Sequence, residues 1–325
     1  EYIYPASMHN NILFFTQRGM VYKMKVYEIP AGAKNTKGRA IQNLLNIEPG
    51  DSVNAFIRCK NLEDAEFTGS HYLVFATRNG LIKKTSLSEY ARVNIKGKKA
   101  IIIREGDRVV DVNLTDGSAE ILIANRNGRA IRFNESVLRA MGRVSTGVRA
   151  MRLDDDGKDE VIGMIPMHPD DNKDVMVISE NGFGKRSALD GYRITNRGGK
   201  GVKTMNITEK TGYVVALKSV DDENDLVIIN RSGITIRVRV SDIRLMGRNT
   251  QGVRIINLDK RGDEIASVCC VDTDPEEEAQ EAIENPEALP EEPVDNTLDL
   301  DDEDDTPDDE PEVDSDAEGE ESEEE

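Results

Sequence analysis

Thr195–Met205 reads TNRGGKGVKTM: three glycines set among one arginine and two lysines, the composition of a loop that holds phosphate. A nucleotide-binding P-loop needs G-x-x-x-x-G-K-[ST], in which a glycine directly precedes the lysine. Val202 stands there instead, ahead of Lys203-Thr204. The chemistry on offer is therefore main-chain and cationic contact with phosphate, without nucleotide hydrolysis. No other stretch is arranged for covalent chemistry. His9, His71 and His168 are far apart in sequence and sit in no acid–base or nucleophile motif. Cys59, Cys269 and Cys270 lack metal-ligand spacing, and three cysteines make a poor disulfide framework, which favours a reducing cytoplasm. LDDDGKDE, from Leu153, lacks the D-x-[DN]-x-[DN]-G spacing of a calcium loop and reads as a turn. Neither a catalytic residue nor a metal site is expected.

The remaining functional candidates are bases that recur in register. Four residues after a series of turn glycines stand Lys23, Lys84, Arg132, Arg186 and Arg237. Four residues before a second series of glycines stand Lys34, Val93, Arg143, Arg197 and Arg248. Two residues after those glycines stand Ala40, Lys99, Arg149, Lys203 and Arg254, with Arg39 beside Ala40 as a near substitute. Strand edges are often solubilised by charge. Glutamate would serve that purpose equally well and is nearly absent from these registers, so the set reads as a track for a long polyanion. Within it Arg197, Lys200 and Lys203 would hold backbone phosphates, while Gly198, Gly199 and Gly201 either allow close main-chain approach or only make tight turns.

These registers rest on a repeat. ILFFTQRGMVYKMKV, YLVFATRNGLIKKTS, EILIANRNGRAIRFN, DVMVISENGFGKRSA and DLVIINRSGITIRVR, starting at Ile12, Tyr72, Glu120, Asp174 and Asp225, are each an apolar run, a polar turn ending in glycine and a second strand-like run. They predict five β-hairpins. Each leads into a second glycine-centred module and a final strand, which makes about four strands per repeat. Repeats of that size and strand content predict an all-β propeller-like array of four-stranded blades with low helix content. The opening EYIYPAS resembles the last strand of a sixth copy, and Glu1 falls mid-strand, as in a piece of a longer chain.

The formal charge of −20 hides two halves. Residues 275–325 hold 27 of the 62 acidic residues and no Lys or Arg, leaving 35 acids against 42 bases, a net +7, in residues 1–274. A basic body of this kind suits a polyanionic partner. The organisation expected is a β body over 1–272 and an acidic tail over 273–325, disordered because it has too little apolar surface to offset chain entropy. Such a tail either competes with the polyanion for the body or only solubilises it. No apolar run is long enough to span a bilayer, and no membrane partner is expected.

RGMVYKMKVYEIP, RNGLIKKTSLSEY, ESVLRAMGRVSTGVRAMRL and IRLMGRNTQGVRIINL resemble, in order, segments of the C-terminal domain of the DNA gyrase A protein. The likeness runs from residue 1 to about 272. It implies a six-bladed β-pinwheel that binds and wraps duplex DNA on its rim and serves an ATP-dependent, negatively supercoiling topoisomerase. The implied partners are double-stranded DNA, the gyrase B protein and the N-terminal part of the gyrase A protein, in an A2B2 holoenzyme. ATP and Mg would belong to that holoenzyme, with no cofactor in this chain, and the place would be the bacterial cytoplasm at the nucleoid. The family's Q-R-R-G-G-K-G box has its nearest counterpart in Thr195–Gly201, which departs at the first two positions and lies in the fourth repeat; the resemblance puts the authentic box before Glu1. Two other readings stay open: the related C-terminal domain of topoisomerase IV, and a propeller that docks proteins.

Overall fold

A computed structural model of the chain describes residues 6–32, 38–60, 62–94, 96–154, 157–258 and 263–272. Two compact units divide it, Glu1–Pro275 and Glu276–Glu325. The expected tail, 273–325, lies outside the described residues, as does Lys34.

Each predicted hairpin forms. β1 (Asn11–Thr16) pairs with β2 (Met20–Lys25), and β4 (Tyr72–Thr77) with β5 (Leu81–Ser86). β8 (Glu120–Asn125) pairs with β9 (Arg129–Asn134), β12 (Asp174–Ser179) with β13 (Phe183–Ala188), and β16 (Asn224–Asn230) with β17 (Thr235–Arg239). The turns need glycine: at Gly128 φ is +79°, and a Cβ would lie 2.6 Å from the Met205 carbonyl oxygen. Each repeat then closes with an inner strand on the first strand of its hairpin. These are β3 (Val53–Cys59), β7 (Val109–Thr115), β11 (Val161–Met167), β15 (Val214–Val220) and β19 (Ile265–Asp272). The longer gap between the first two repeats holds α1 (Ala65–Ser70), capped by the Asp64 carboxylate, the one α-helix among the described residues.

The fourth strand departs from expectation. β6 (Lys98–Lys99), β10 (Val148–Arg149), β14 (Val202–Lys203) and β18 (Val253–Arg254) are two-residue strands from the second modules. None joins its own repeat. β6 pairs with β2, β10 with β5, β14 with β9 and β18 with β13, so each four-stranded sheet takes its outer strand from the repeat that follows. Clasps reinforce the exchange: the carbonyls of Gly19, Gly80, Gly128 and Gly182 accept the N–H groups of Ala100, Ala150, Thr204 and Ile255 at 2.7–2.9 Å.

Five sheets result among the described residues, four of four strands and a fifth, β17-β16-β19, of three. The six blades expected are thereby corrected to five. Residues 1–5 of the supposed sixth lie outside the described residues, and Ala6–Asn10 turn into β1 without forming a strand. The inner strands pack in series, β3 on β7, β7 on β11, β11 on β15 and β15 on β19. Alternating apolar residues of neighbouring sheets fill the space between them. Phe15 meets Phe75 edge-on at 5.3 Å between sheets one and two, and Met176, Ile178, Leu226 and Ile228 join sheets four and five. The second module of the first repeat behaves differently: Ile41, Leu44 and Leu45 fold back on Phe14 and Tyr22 of their own sheet.

Candidate nucleic-acid interface

The outer edge of sheets two, three and four is built from two pieces of the next repeat with a loop between them. On β9 the first piece is the single parallel bridge Ile194 to Arg132, and the second is β14. Thr195–Gly201, the loop singled out by composition, bulges between them. Gly201 has φ +76°, and a Cβ there would overlap the Ala130 carbonyl, so close approach to β9 requires glycine. Gly198, at φ +89°, donates its N–H to the Ala150 carbonyl at 2.7 Å, and the Gly199 carbonyl accepts from Arg152 N at 2.9 Å. These glycines therefore stitch the loop to the preceding repeat. Lys200 stands exposed, 3.9 Å from the Asp154 carboxylate.

Lys99, Arg149, Lys203 and Arg254 are the second residues of β6, β10, β14 and β18, and all four are exposed on the outer strands. The bases of the neighbouring register reach them from the next repeat. Arg143 Nη1 donates to the Lys99 carbonyl, Arg197 Nη1 to the Arg149 carbonyl at 3.1 Å, and Arg248 Nη1 to the Lys203 carbonyl at 3.3 Å. Two bases thus come together at each of three successive junctions, where a neutral carbonyl orients the guanidinium and no ion pair to that guanidinium is present among the described residues. The hairpin turns are electrostatically different. There Arg78 lies 3.7 Å from Glu160, Arg126 3.7 Å from Glu180 and Arg231 2.9 Å from Glu264. Arg39 is exposed but sits on no donated strand, because its module folds back on its own sheet.

The first register does not join this edge. Lys84 and Arg132 are only 6% and 7% exposed. Lys84 Nζ is 2.9 Å from Glu135, the residue after β9, and 4.2 Å from the Tyr72 ring centroid. Arg132 is held by Glu120 and donates to the Leu189 and Tyr192 carbonyls of the next repeat at 2.8 and 2.9 Å. Arg186 is paired with Asp174 and Asp222, Arg237 Nε lies 2.6 Å from Asp225, and Lys23 Nζ donates to the Ala91 carbonyl at 3.2 Å. The expected ring of five outward charges is corrected at Lys84 and Arg132, which lie inside; Lys23 and Arg186 are half-buried and Arg237 stays exposed beside Asp225, and all five tie the hairpin to its own first strand or to the following repeat. A signal for this was present in the sequence. Glu120, Asp174 and Asp225 each precede an arginine of the register by twelve residues, across the hairpin.

Two groups of bases escaped the sequence reading. Arg139, Arg193 and Arg244 are exposed in register just before the bridge residues Ala140, Ile194 and Leu245. Lys83 and Lys185, one residue before the first register, have no exposed surface. Lys83 Nζ donates to the Ala100 carbonyl at 2.7 Å and to that of Arg143; Lys185 Nζ donates to the Gly247 carbonyl at 2.7 Å, to that of Arg248 and to Thr250 Oγ1 at 3.3 Å. Each lysine therefore holds the main chain of a rim arginine. Burial, with lesser repulsion from Arg143, lowers Lys83 to about 8; burial, with Arg248, lowers Lys185 to about 7. Three acceptors around Lys185 match the three N–H donors of its ammonium form.

The family model described as DNA gyrase C-terminal domain, beta-propeller, matches residues 10–60, 71–116, 119–166, 173–221 and 224–272, one segment per repeat. The DNA gyrase A protein of Staphylococcus aureus (strain NCTC 8325 / PS 47) is 42% identical over 277 residues, which are 85% of this chain and 30% of that protein. The chain thus spans about a third of the curated relatives it matches. A solved C-terminal domain of DNA topoisomerase IV superposes with a TM-score of 0.73 at 24% identity, covering 86% of this chain and 85% of the other. A DNA gyrase A C-terminal domain superposes at 0.69 with 21% identity, covering 82% and 83%. At such identities the two likenesses speak to the fold.

Proposed function

The chain belongs to the DNA gyrase C-terminal domain family, and from that premise we propose that its outer sheet edges bind duplex DNA through the phosphate backbone and bend it around the array. The carrying observation is the meeting of Arg143 with Lys99, Arg197 with Arg149, and Arg248 with Lys203 at consecutive junctions. Bending a 20–30 bp site by 40–90° costs of order 1–6 kcal/mol, a load that many modest phosphate contacts on a curved surface offset. The second and third registers and Lys200 supply those contacts, joined by Arg139, Arg193 and Arg244. Lys34 and Arg39 extend the set into the first repeat. The one α-helix among the described residues, α1, has six residues and is too short for a recognition helix, so the reading is sequence-tolerant, with bendability setting preference.

In the parent protein this binding would serve negative supercoiling by a holoenzyme of two A and two B subunits in the bacterial cytoplasm, with ATP, Mg and the DNA-cleaving tyrosine held elsewhere. Curated relatives at 42% identity favour gyrase over topoisomerase IV. The test is duplex affinity measured against salt. With about 6–10 phosphates engaged, affinity falls roughly 10³–10⁵-fold between 50 and 200 mM salt. A flat response removes the backbone-binding reading, and no shift of duplex DNA at all would leave a protein-docking propeller.

A further inference from the structure

Resting on that reading, we propose that Ile194 and Leu245 are apolar contacts to the deoxyribose faces of the bound duplex, supplying a share of affinity that salt does not screen. Both are bridge residues at the outer sheet edge. Ile194 pairs with Arg132 and Leu245 with Arg186. The residue after each is tied to the same strand, Thr195 N to the Arg132 carbonyl at 2.8 Å and Met246 N to the Arg186 carbonyl at 2.9 Å. Their backbones are therefore fixed. Even so, Ile194 is 55% exposed and Leu245 52% exposed.

Charge identifies what covers them. Arg193 precedes Ile194 and Arg244 precedes Leu245, while Arg197 and Arg248 follow three residues later in the same loops. A protein-docking surface is a contiguous apolar patch with charge at its margin. Here Ile194 and Leu245 stand singly at two junctions with bases before and after each, an arrangement suited to a ligand that alternates anionic and apolar groups at short intervals. The DNA backbone is such a ligand, with each sugar lying between two phosphates. Packing against sugars requires no unstacking of bases, so it does not oppose bending toward the protein. Ala140 occupies the equivalent place one junction earlier, where the same contact would be small.

The experiment compares the full chain with the I194A/L245A variant on a linear mixed-sequence duplex, with affinity measured over a range of salt. Removing buried apolar area acts equally at every salt concentration, whereas removing a phosphate contact changes the slope. The expected result is affinity lower by about tenfold at each salt concentration with the slope unchanged. Ala140→Leu should tighten binding several-fold, again at constant slope. Both variants should melt with the parent, since the altered side chains are exposed. Unchanged affinity of the double variant, or a loss that appears only as a shallower slope, overturns the proposal. If the parent chain itself fails to bind duplex DNA, the fault lies with the functional reading on which it rests.

Discussion

Two sets of bases run through the repeats with the same composition and the same regular spacing, yet the fold uses them in opposite ways. Arg132 and Lys84, on second strands of their sheets, face carboxylates and carbonyls inside the array. Arg149 and Lys203, on strands donated from the following repeat, face outward and are met by another base. The difference teaches that periodicity of charge reveals a repeated environment but not its kind. What stands opposite decides. An arginine with a carboxylate across its hairpin is a structural tie, and an arginine aimed at a neutral carbonyl keeps its charge for an external partner.

The largest test of this contrast is Arg132→Ala. Removing one member of a buried pair strands Glu120 without its partner, and unfolding by urea should show a loss of about 3–5 kcal/mol. A loss below about 1 kcal/mol would place Arg132 with the surface bases. The opposite behaviour is expected of Arg149→Ala, Lys203→Ala and Arg254→Ala combined. Stability should stay within about 0.5 kcal/mol per exposed substitution. The dependence of log affinity on log salt should become shallower by about 0.9 for each base removed. A pH dependence sharpens the boundary between the sets, at the lysines that lie inside but hold the rim. Burial holds Lys185 at about 7 and Lys83 at about 8, below the ordinary 10.5, so the folded state binds fewer protons than the unfolded one across that window. Stability should therefore rise with pH above about 7 and level off near the ordinary lysine value. In Lys185→Met the rise should be shallower when unfolding free energy is followed across that range. Arg248 beside Lys185, and Arg143 and Glu89 near Lys83, are the charged neighbours that set these values.

Much of the architecture was legible in the residues. Apolar runs broken by turn glycines marked every hairpin, because φ near +80° at positions such as Gly128 is closed to residues with a Cβ. The site was half legible. Lys99, Arg149, Lys203 and Arg254 stand at the outer edge as expected, while Lys84 and Arg132, outward by register alone, lie inside. Lys83 and Lys185 escape notice because a lysine in a strand reads as a solvated residue, and nothing local announces carbonyls that come from loops about sixty residues ahead.

By itself, then, the amino-acid order determined the local elements, their fivefold recurrence and the polarity of the two halves of the chain, since backbone sterics and composition act over a few residues at a time. Tertiary structure alone decided that each outer strand crosses to the preceding sheet, and with it which bases turn inward and which converge at the junctions. Pairing across repeats is chosen by edges that become available only when neighbouring sheets pack, and a two-residue strand such as Val202–Lys203 carries no sign of which edge it will complete.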